Sequence, residues 1–292
     1  MSAGIPSVSI VVPVFNGQDT IAGCLDSLLA LNFPRELFEV IVVNNASTDK
    51  TAQVLVAYRD RVKLLEEKTR GPSAARNRGV REAAGEIVAF TDADCTVDRN
   101  WLRHLVEPLE DKSVGIVGGR ILSVTPCNPI EKFGETIHDH RKAIEVFKPP
   151  YAITMNWSSP RQVLIGAGLF DESYLRCEDA DLSQRILQRN YRMVYRHEAI
   201  IYHRNERTLA GLFREGYQHG VWSVKHNKYH HAENILSGHR RFNIHSYRAI
   251  GANLLAAIGS EQRLNALCQA TFDIGKKCGK FMGTCRFGYI DL

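Results

Sequence analysis

The sequence has no segment that predicts insertion into a membrane or export from the cell. Its longest uncharged stretch, residues 2–18, is broken by Pro6 and Pro13, whereas a membrane-spanning helix needs about 20 consecutive apolar residues. The N-terminus also lacks a positive charge ahead of an apolar core and a small-residue cleavage site, so it does not resemble a secretory signal. We therefore expect a protein that stays in the cytoplasm.

Cysteine pairs and glycine-rich dinucleotide loops are missing as well. The seven cysteines form an odd, scattered set with no C-x-x-C spacing, which suits neither a disulfide framework nor a zinc site. No G-x-G-x-x-G follows a strand near the N-terminus, so a dinucleotide-dependent dehydrogenase is not expected. The chain of 292 residues, 44% of them hydrophobic and 24% charged, is long enough for one large domain and a smaller appendage.

Positive charge is concentrated in the C-terminal third. Residues 204–292 contain 13 Lys/Arg and 6 Asp/Glu, whereas the rest of the chain contains 24 and 26. Histidines and helically spaced apolar residues lie among these charges: His219, His226, His230, His231, His239 and His245, and Phe213, Tyr217, Val221 and Val224. The pattern predicts an amphipathic helix with a solvated basic face, or a surface that binds the anionic cytoplasmic leaflet. Nucleic acid is not an expected partner, because no zinc finger or RNP-like motif is present.

Strand and helix patterns alternate from the N-terminus to about residue 120. Val8–Val14 and Phe38–Val43 are apolar, β-branched runs that end in polar loops, and Asp19–Leu31 between them has apolar residues at helical spacing. Strand, helix, strand is the βαβ unit of a parallel sheet. Further helices are predicted near 51–58, 73–84 and 101–109, and further strands near 62–65, 87–90 and 114–118. We expect an α/β fold with nucleotide chemistry at the carboxyl ends of the strands.

The regular alternation ends near residue 118, and the segment that follows is punctuated by Pro126, Pro129, Pro149 and Pro150. Helical spacing returns at Asp179–Arg189, followed by predicted strands at Tyr191–Tyr195 and Ala199–Tyr202. We expect this middle segment to build the substrate-specific half of the protein.

A pair of carboxylates follows the predicted strand Ile87–Phe90. Asp92 and Asp94 are separated by Ala93 alone, and two such carboxylates at a strand end can hold a divalent cation together with a diphosphate. Acidic residues also commonly fill turns. The motif taken alone therefore leaves a metal site and a turn as alternatives.

Two other polar segments begin predicted helices. Residues 71–79, which read G-P-S-A-A-R-N-R-G, could direct backbone N–H groups and two arginines towards a diphosphate, or could form a Ser-capped helix with a solvated basic face. Glu178, Asp179 and Asp181 open a later helix. They offer a candidate general base, although the helix dipole alone also favours acids in a first turn.

Together these motifs resemble, in order and rough spacing, the family 2 glycosyltransferases of the GT-A fold. The resemblance is carried by residues 8–16, 44–49, 71–79, 92–94, 168–172 and 178–182, and it spans about residues 7–205. It implies a Rossmann-like, mostly parallel sheet flanked by helices. We expect a catalytic domain at 1–205, with a nucleotide-binding half at about 7–120 and an acceptor half at about 121–205, and a basic helical C-terminal extension at 206–292.

The resemblance implies an inverting glycosyltransferase that depends on Mn²⁺ or Mg²⁺. Such an enzyme moves a sugar from a nucleoside-diphosphate sugar, above all a UDP-sugar, to a hydroxyl of a glycan or lipid-linked acceptor in polysaccharide or glycoconjugate biosynthesis. Asp179 is the implied catalytic base, which takes the proton of the acceptor hydroxyl. Work on a lipid-linked acceptor would place the protein peripherally on the inner face of the membrane.

The other site residues follow from the same resemblance. The implied donor-binding residues are Pro13, Val14, Phe15, Asn44, Asn45, Arg76, Asp92 and Ala93; the acceptor-binding residues are Asn156, Trp157 and Glu178; the metal ligands are Asp94, Asp92 and His203. The chain departs from the family at Asn44 and Asn45, where an acidic residue usually accepts from uracil N3–H. An amide oxygen can accept there too, but the amide NH₂ also donates.

Two other classes of protein remain as alternatives. A nucleotidyltransferase would carry a glycine-rich phosphate loop after the first strand, where this chain has Pro13-Val14-Phe15-Asn16. A nucleotide-sugar-binding protein without catalysis is suggested by the two asparagines at 44 and 45. The carboxylates of Asp92, Asp94 and Asp179 argue against that second alternative.

Overall fold

The computed structural model describes residues 6–125, 127–230, 244–259 and 263–291. The chain forms two compact units, the first made of residues 1–122 and 139–203 and the second of residues 123–138 and 204–292. The second unit thus contains residues 123–138, which the sequence predicts to be part of the acceptor half.

An eight-stranded sheet runs through the first unit. Its strands are β1 (Val8–Val14), β2 (Phe38–Asn44), β3 (Lys63–Glu66), β4 (Ile87–Phe90), β5 (Cys95–Val97), β6 (Val114–Ser123), β7 (Trp157–Pro160) and β8 (Arg192–His203). They are arranged in the order β3-β2-β1-β4-β7-β6-β8-β5. β1 is parallel to β2 and β4, and β2 to β3, whereas β7 is antiparallel to β4 and β6, and β5 to β8. The predicted α/β sheet is confirmed, with its parallel strands gathered in the N-terminal half.

Helices cover both faces of this sheet. They are α1 (Ile21–Leu29), α2 (Thr51–Val56), α3 (Pro72–Glu82), α4 (Trp101–Val106), α6 (His140–Glu145), α7 (Arg161–Gly166) and α8 (Glu178–Leu187); α5 (Pro129–Ile137) belongs to the second unit. Alternate residues of β1 enter opposite cores: Ile10 packs with one apolar cluster and Val11 with the other. A strand buried on both faces explains why every residue of β1 except Ser9 is apolar. Each such apolar side chain contributes about 1.5–3 kcal/mol when fully buried.

Helix α3 lies unusually close to β1. Gly71 precedes it with φ 133°, in the region that favours glycine, and Pro72 starts the helix. A Cβ atom at Gly79 would collide with the side chain of Val11. The two glycines thus let the helix begin sharply and pack flat on the strand, which fixes the position of Arg76 between them.

The polar strand β8 differs from its prediction. The sequence predicted separate strands at 191–195 and 199–202, but the structure joins them into one strand, Arg192–His203. The polar side chains of the interval find partners on neighbouring elements: Arg196 pairs with Glu107 at 2.9 Å, and His197 lies 3.1 Å from Arg120. The backbone therefore remains extended. The short strands β5 and β7 were not predicted, because neither has an apolar run long enough to mark a strand.

The second unit is helical, as predicted for the C-terminus. Besides α5 it contains α9 (Leu209–Tyr229), α10 (Ile244–Gly259) and α11 (Arg263–Phe287). Helices α9 and α11 pack through glycines, since a Cβ atom at Gly220 or Gly279 would collide with the backbone of the other helix. Of the basic segment, His231 and His239 lie outside the described residues. No helix in the described part of the chain combines the length and apolar character needed to cross a bilayer.

Candidate active site

The carboxyl ends of the parallel strands line up at one edge of the sheet. Val14, Asn44 and Glu66 are register neighbours at the ends of β1, β2 and β3. Phe15 follows Val14 and is 50% exposed, and the Arg70 guanidinium lies 5.4 Å from the centre of its ring. An exposed aromatic ring at this edge suits a flat ligand group, because aromatic faces stack on planar partners.

The loops after β1 and β2 are tied to each other. Asn16 and Ala46 both have positive φ, at 52° and 55°. The Asn16 side chain accepts from the Thr48 N–H at 2.8 Å, and the Asn16 N–H donates to the Ser47 hydroxyl at 3.0 Å. The Gly17 N–H donates to the Thr51 hydroxyl at 2.8 Å. These bonds hold the loop that carries Phe15 in one conformation.

The predicted base-contacting amides are engaged within the protein. The Asn45 oxygen accepts from the Gly71 N–H at 2.8 Å, and its NH₂ donates to the carbonyls of Glu67 and Thr69 at 3.1 and 2.7 Å. The Asn44 NH₂ donates to Glu66 Oε1 at 3.0 Å, and its oxygen lies 3.3 Å from the Ser47 N–H. Both asparagines are buried. Their amides organise the adjoining loops, so this geometry gives no support to a direct contact with the base.

Arg76 joins two of the predicted acids. The side chain is 4% exposed, and its guanidinium binds Asp92 at 2.8 Å and Glu178 at 2.6 Å. Burial alone would lower the pKa of Arg76, but the two carboxylates outweigh it and raise the pKa above its ordinary value. The predicted donor-side pair Arg76 and Asp92 is thus brought together. Glu178, predicted to contact the acceptor, is buried in the same ion pair.

The second acid of the first motif has a different environment. Asp94 lies between β4 and β5, its side chain is 43% exposed, and its Oδ2 is 3.5 Å from His203 Nε2. His203 is adjacent because it pairs with Cys95 in the antiparallel β5–β8 ladder. Burial opposes ionisation of Asp94, but His203 and its hydrogen bond hold the pKa of this carboxyl below its ordinary value. Ala93 packs half-buried against the core.

A divalent cation fits Asp94 and His203. Asp94, Cys95 and His203 each place a potential ligand atom within 4.8 Å of the others. Burial raises the pKa of the Cys95 thiol well above its ordinary value, and its Sγ donates to Asp94 Oδ1 at 3.7 Å. A protonated thiol is a poor ligand for hard cations, whereas the Asp94 carboxylate suits Mg²⁺ or Mn²⁺ and the His203 imidazole offers a nitrogen ligand beside it. Asp92, the other predicted ligand, has its Oδ1 bound to Arg76.

Asp179 is the acid of α8 that pairs with no guanidinium among the described residues. Glu178 binds Arg76, and Asp181 binds Arg185 at 2.5 Å. Asp179 accepts from the Ala180 N–H at 2.8 Å. Burial, followed by the charge of Glu178, raises the pKa of Asp179 to about 7. A carboxyl of this pKa changes its protonation state near neutral pH, as a general base requires.

The predicted acceptor residues Asn156 and Trp157 lie in the core. The Asn156 oxygen accepts from Trp101 Nε1 at 2.8 Å, and its NH₂ donates to the carbonyls of Arg120 and Ala199, each at 2.9 Å. Trp157 is fully buried and packs edge-to-face with the rings of Phe90 and Phe170. Their burial gives no support to an acceptor contact, and both residues instead support β4 and β7 from within.

Other residues beside the site carried no sequence motif. The Ala152 N–H donates to the Ser183 hydroxyl at 3.1 Å, and Ser183 lies one turn after Asp179 on α8. Tyr151 is therefore brought alongside Asp179, and burial together with the Asp179 charge raises the pKa of its phenol. Phe147, 40% exposed, stacks on Tyr151 at 6.1 Å. The sequence carries no signal that marks Tyr151 or Phe147 as site residues. Glu66 could have been noticed, because it is the polar residue directly after the predicted strand 62–65.

Comparison with known proteins identifies the class. The sequence model of Glycosyl transferase family 2 matches residues 9–169, more than half of the chain. Among similar proteins, glycosyltransferase AglE of Haloferax volcanii is 28% identical over 231 residues, which cover 77% of this chain and 75% of that protein.

Two solved structures share the fold. The mannosyltransferase PcManGT from Pyrobaculum calidifontis, in complex with GDP-Man and Mn²⁺, aligns over 94% of this chain and 87% of its own, with a TM-score of 0.67 and 22% identity. TarS residues 1–349 of S. aureus, in complex with UDP, aligns over 97% and 92%, with a TM-score of 0.54 and 17% identity. The fold is that of GT-A glycosyltransferases, and the chain belongs to glycosyltransferase family 2.

Proposed function

We propose that this protein transfers a sugar from a nucleoside-diphosphate sugar to a hydroxyl of a glycan or lipid-linked acceptor, with inversion at the anomeric carbon. The observation that carries the proposal is the Arg76 bridge. It ties the strand-end motif of Asp94 to the helix of Asp179 through ion pairs of 2.8 and 2.6 Å, so a candidate cation site and a candidate base share one rigid support.

In this proposal Asp179 removes the proton from the acceptor hydroxyl. Its pKa of about 7 leaves it ionised above neutral pH, and a base near that pKa is matched to proton transfer under these conditions. Attack of the acceptor oxygen opposite the leaving nucleoside diphosphate inverts the anomeric carbon. Asp94 and His203 would hold Mn²⁺ or Mg²⁺, which neutralises the charge of the leaving diphosphate when bound.

The donor nucleotide would lie at the strand ends near Phe15. The neighbours differ in the nucleotide that they bind, since PcManGT was solved with GDP-Man and TarS with UDP and with UDP-GlcNAc. The uridine predicted from the family resemblance stays a prediction, because the amides expected to read it are engaged within the protein.

The transfer is tested by product analysis. The protein is incubated with Mn²⁺, a panel of UDP-, GDP-, dTDP- and CDP-sugars, and glycan or polyprenyl-diphosphate-linked acceptors. The proposal predicts release of one nucleoside diphosphate and a new glycosidic bond of inverted configuration, read by NMR. Tight binding of a nucleotide sugar without release across the acceptor panel would instead favour a protein that binds and does not catalyse.

We also propose that the second unit rests on an anionic membrane surface. On α10, Leu255 and Ile258 are 73% and 76% exposed, and α11 exposes Phe281 and carries Lys277, whose ammonium lies 4.1 Å from the ring centre of Tyr247 on α10. Exposed apolar side chains beside lysines favour anionic interfaces. Flotation with liposomes tests this: recovery should need anionic lipid and fall in a Leu255→Gln, Ile258→Gln variant. Equal recovery with neutral liposomes would contradict it.

A further inference from the structure

The Glu66 carboxylate lies at the carboxyl end of the sheet, where the nucleobase of the donor is proposed to bind. Glu66 ends β3 and is the register partner of Asn44, which is in turn the partner of Val14. It is exposed, as is Phe15 two strands away. A nucleobase that stacks on Phe15 lies at the same edge of the sheet as this carboxylate.

Glu66 can still accept hydrogen bonds from a ligand, whereas the amides of Asn44 and Asn45 are bonded within the protein. Its Oε1 accepts from the Asn44 NH₂ at 3.0 Å, and among the described residues its Oε2 has no hydrogen-bond partner. Asn45 has both of its amide groups bonded to the loop of residues 67–71. Of the described side chains at the carboxyl ends of β1, β2 and β3, the Glu66 carboxylate is therefore the one that can accept hydrogen bonds from a nucleobase.

Asn44 and Glu66 form a matched pair. An aspartate at position 44 would place a second negative charge against the Glu66 carboxylate, where the structure has an amide donor at 3.0 Å, and like charges at such a distance oppose each other's ionisation. The amide on β2 and the acid on β3 thus go together. The free carboxylate at this end of the sheet lies on β3, one strand beyond Asn44, and Asn44 serves as its positioning residue.

The donor and acceptor pattern of the carboxylate selects among the bases. An ionised carboxylate offers two adjacent acceptors and no donor. Guanine offers two adjacent donors, N1–H and N2–H₂, which a carboxylate can accept together in strong, charge-assisted bonds. Uracil offers one donor, N3–H, between two carbonyl oxygens that would face the carboxylate oxygens. We propose that Glu66 binds the nucleobase of the donor and that this base is guanine.

The inference rests on the proposed function and names its nucleotide as guanosine diphosphate in place of uridine diphosphate. Isothermal titration of the whole protein with GDP and UDP in the presence of Mn²⁺ tests it. Wild-type protein should bind GDP at least about tenfold more tightly than UDP, equivalent to about 1.4 kcal/mol. Glu66→Gln keeps an oxygen for Asn44 but replaces one acceptor with an NH₂ donor. It should lose the preference for GDP and bind UDP at least as well as wild type.

Glu67→Gln is the matched control, since it removes the same charge one residue along the chain and should keep the preference for GDP. Thermal unfolding of each variant confirms that it is folded. The inference would be overturned if wild type bound UDP as tightly as GDP or more tightly, or if Glu66→Gln kept the wild-type preference. Either result would leave the transferase proposal standing. Failure to bind GDP, UDP, CDP and dTDP alike would count against both.

Discussion

The two acidic motifs of the site divide their carboxylates in the same way. In the first motif Asp92 is bound to Arg76, and Asp94 lies beside His203 with its side chain 43% exposed. In the second motif Glu178 is bound to the same guanidinium, and Asp179 is not. One buried arginine thus holds one acid of each motif, and Arg185 holds Asp181, so Asp94 and Asp179 are the candidates for chemistry.

The two remaining acids differ in charge state. His203 holds the pKa of Asp94 below its ordinary value, whereas burial and Glu178 raise that of Asp179 to about 7. A carboxylate that stays ionised suits a cation, and a carboxyl that titrates near neutrality suits proton transfer. The role of an acid in these motifs therefore depends more on which positive group it contacts than on how many acids the motif contains.

Removing the candidate base should have the largest effect. Asp179→Asn keeps the shape of the side chain but cannot take a proton, so transfer should fall by about 10²–10⁴-fold. Binding of the nucleotide sugar, measured by calorimetry, should change by less than about twofold, because this residue acts on the acceptor hydroxyl. Asp60→Asn, at a side chain that is 88% exposed, is the control and should retain wild-type transfer. Full activity of Asp179→Asn would refute the assignment.

Removing the Arg76 side chain should destabilise both acidic motifs together. Arg76→Met leaves Asp92 and Glu178 without their partner, and breaking a buried ion pair from one side costs about 3–5 kcal/mol. The free energy of unfolding, measured in urea, should fall by that amount. Adding Glu178→Gln removes the more buried of the two charges, so the double variant should recover part of the loss. Simple additivity of the two changes would contradict a shared ion pair.

Removing the candidate cation ligand should weaken metal binding without unfolding the protein. Asp94→Asn should lower the affinity for Mn²⁺ by at least about tenfold, given that even residues behind a ligand contribute that much. Calorimetric titration with Mn²⁺ and a nucleoside diphosphate measures the loss. Unaltered Mn²⁺ affinity in this variant, with Asp60→Asn as the control, would show that the cation binds elsewhere.

The smallest effect concerns stability and pH. The pKa of Asp179 is raised from 3.8 to about 7 in the folded protein, so the folded state holds a proton that the unfolded chain releases, and this group makes the protein less stable as pH rises from about 4 to 7. Asp179→Asn removes that loss. Its unfolding free energy should exceed that of wild type by about 1 kcal/mol or more at pH 8 and match it below pH 4. A difference in unfolding free energy between variant and wild type that is the same at pH 8 and below pH 4 would contradict the raised pKa.

The sequence predicted the strands more fully than the partners of the site residues. β1 and β4 were found at their observed bounds, because their apolar runs end abruptly in polar loops. Contacts between distant residues could not be found in this way. Arg76 and Glu178 are 102 residues apart, and Asn156 meets Trp101 across 55. Residue type and spacing indicate which groups are polar, but not whether they meet each other or a ligand.

The pH dependence of kcat/KM tests the central claim, that Asp179 is the acid left to take a proton. Burial, and after it the charge of Glu178, raises the pKa of Asp179, whereas Arg76 lowers it. Tyr151 places a neutral phenol beside Asp179. We expect kcat/KM to rise about tenfold per pH unit below an apparent pKa of about 7 and to reach a plateau above it. A profile that is flat between about pH 5 and 8 would mean that no such group must be deprotonated, and would contradict the division of roles between the two motifs.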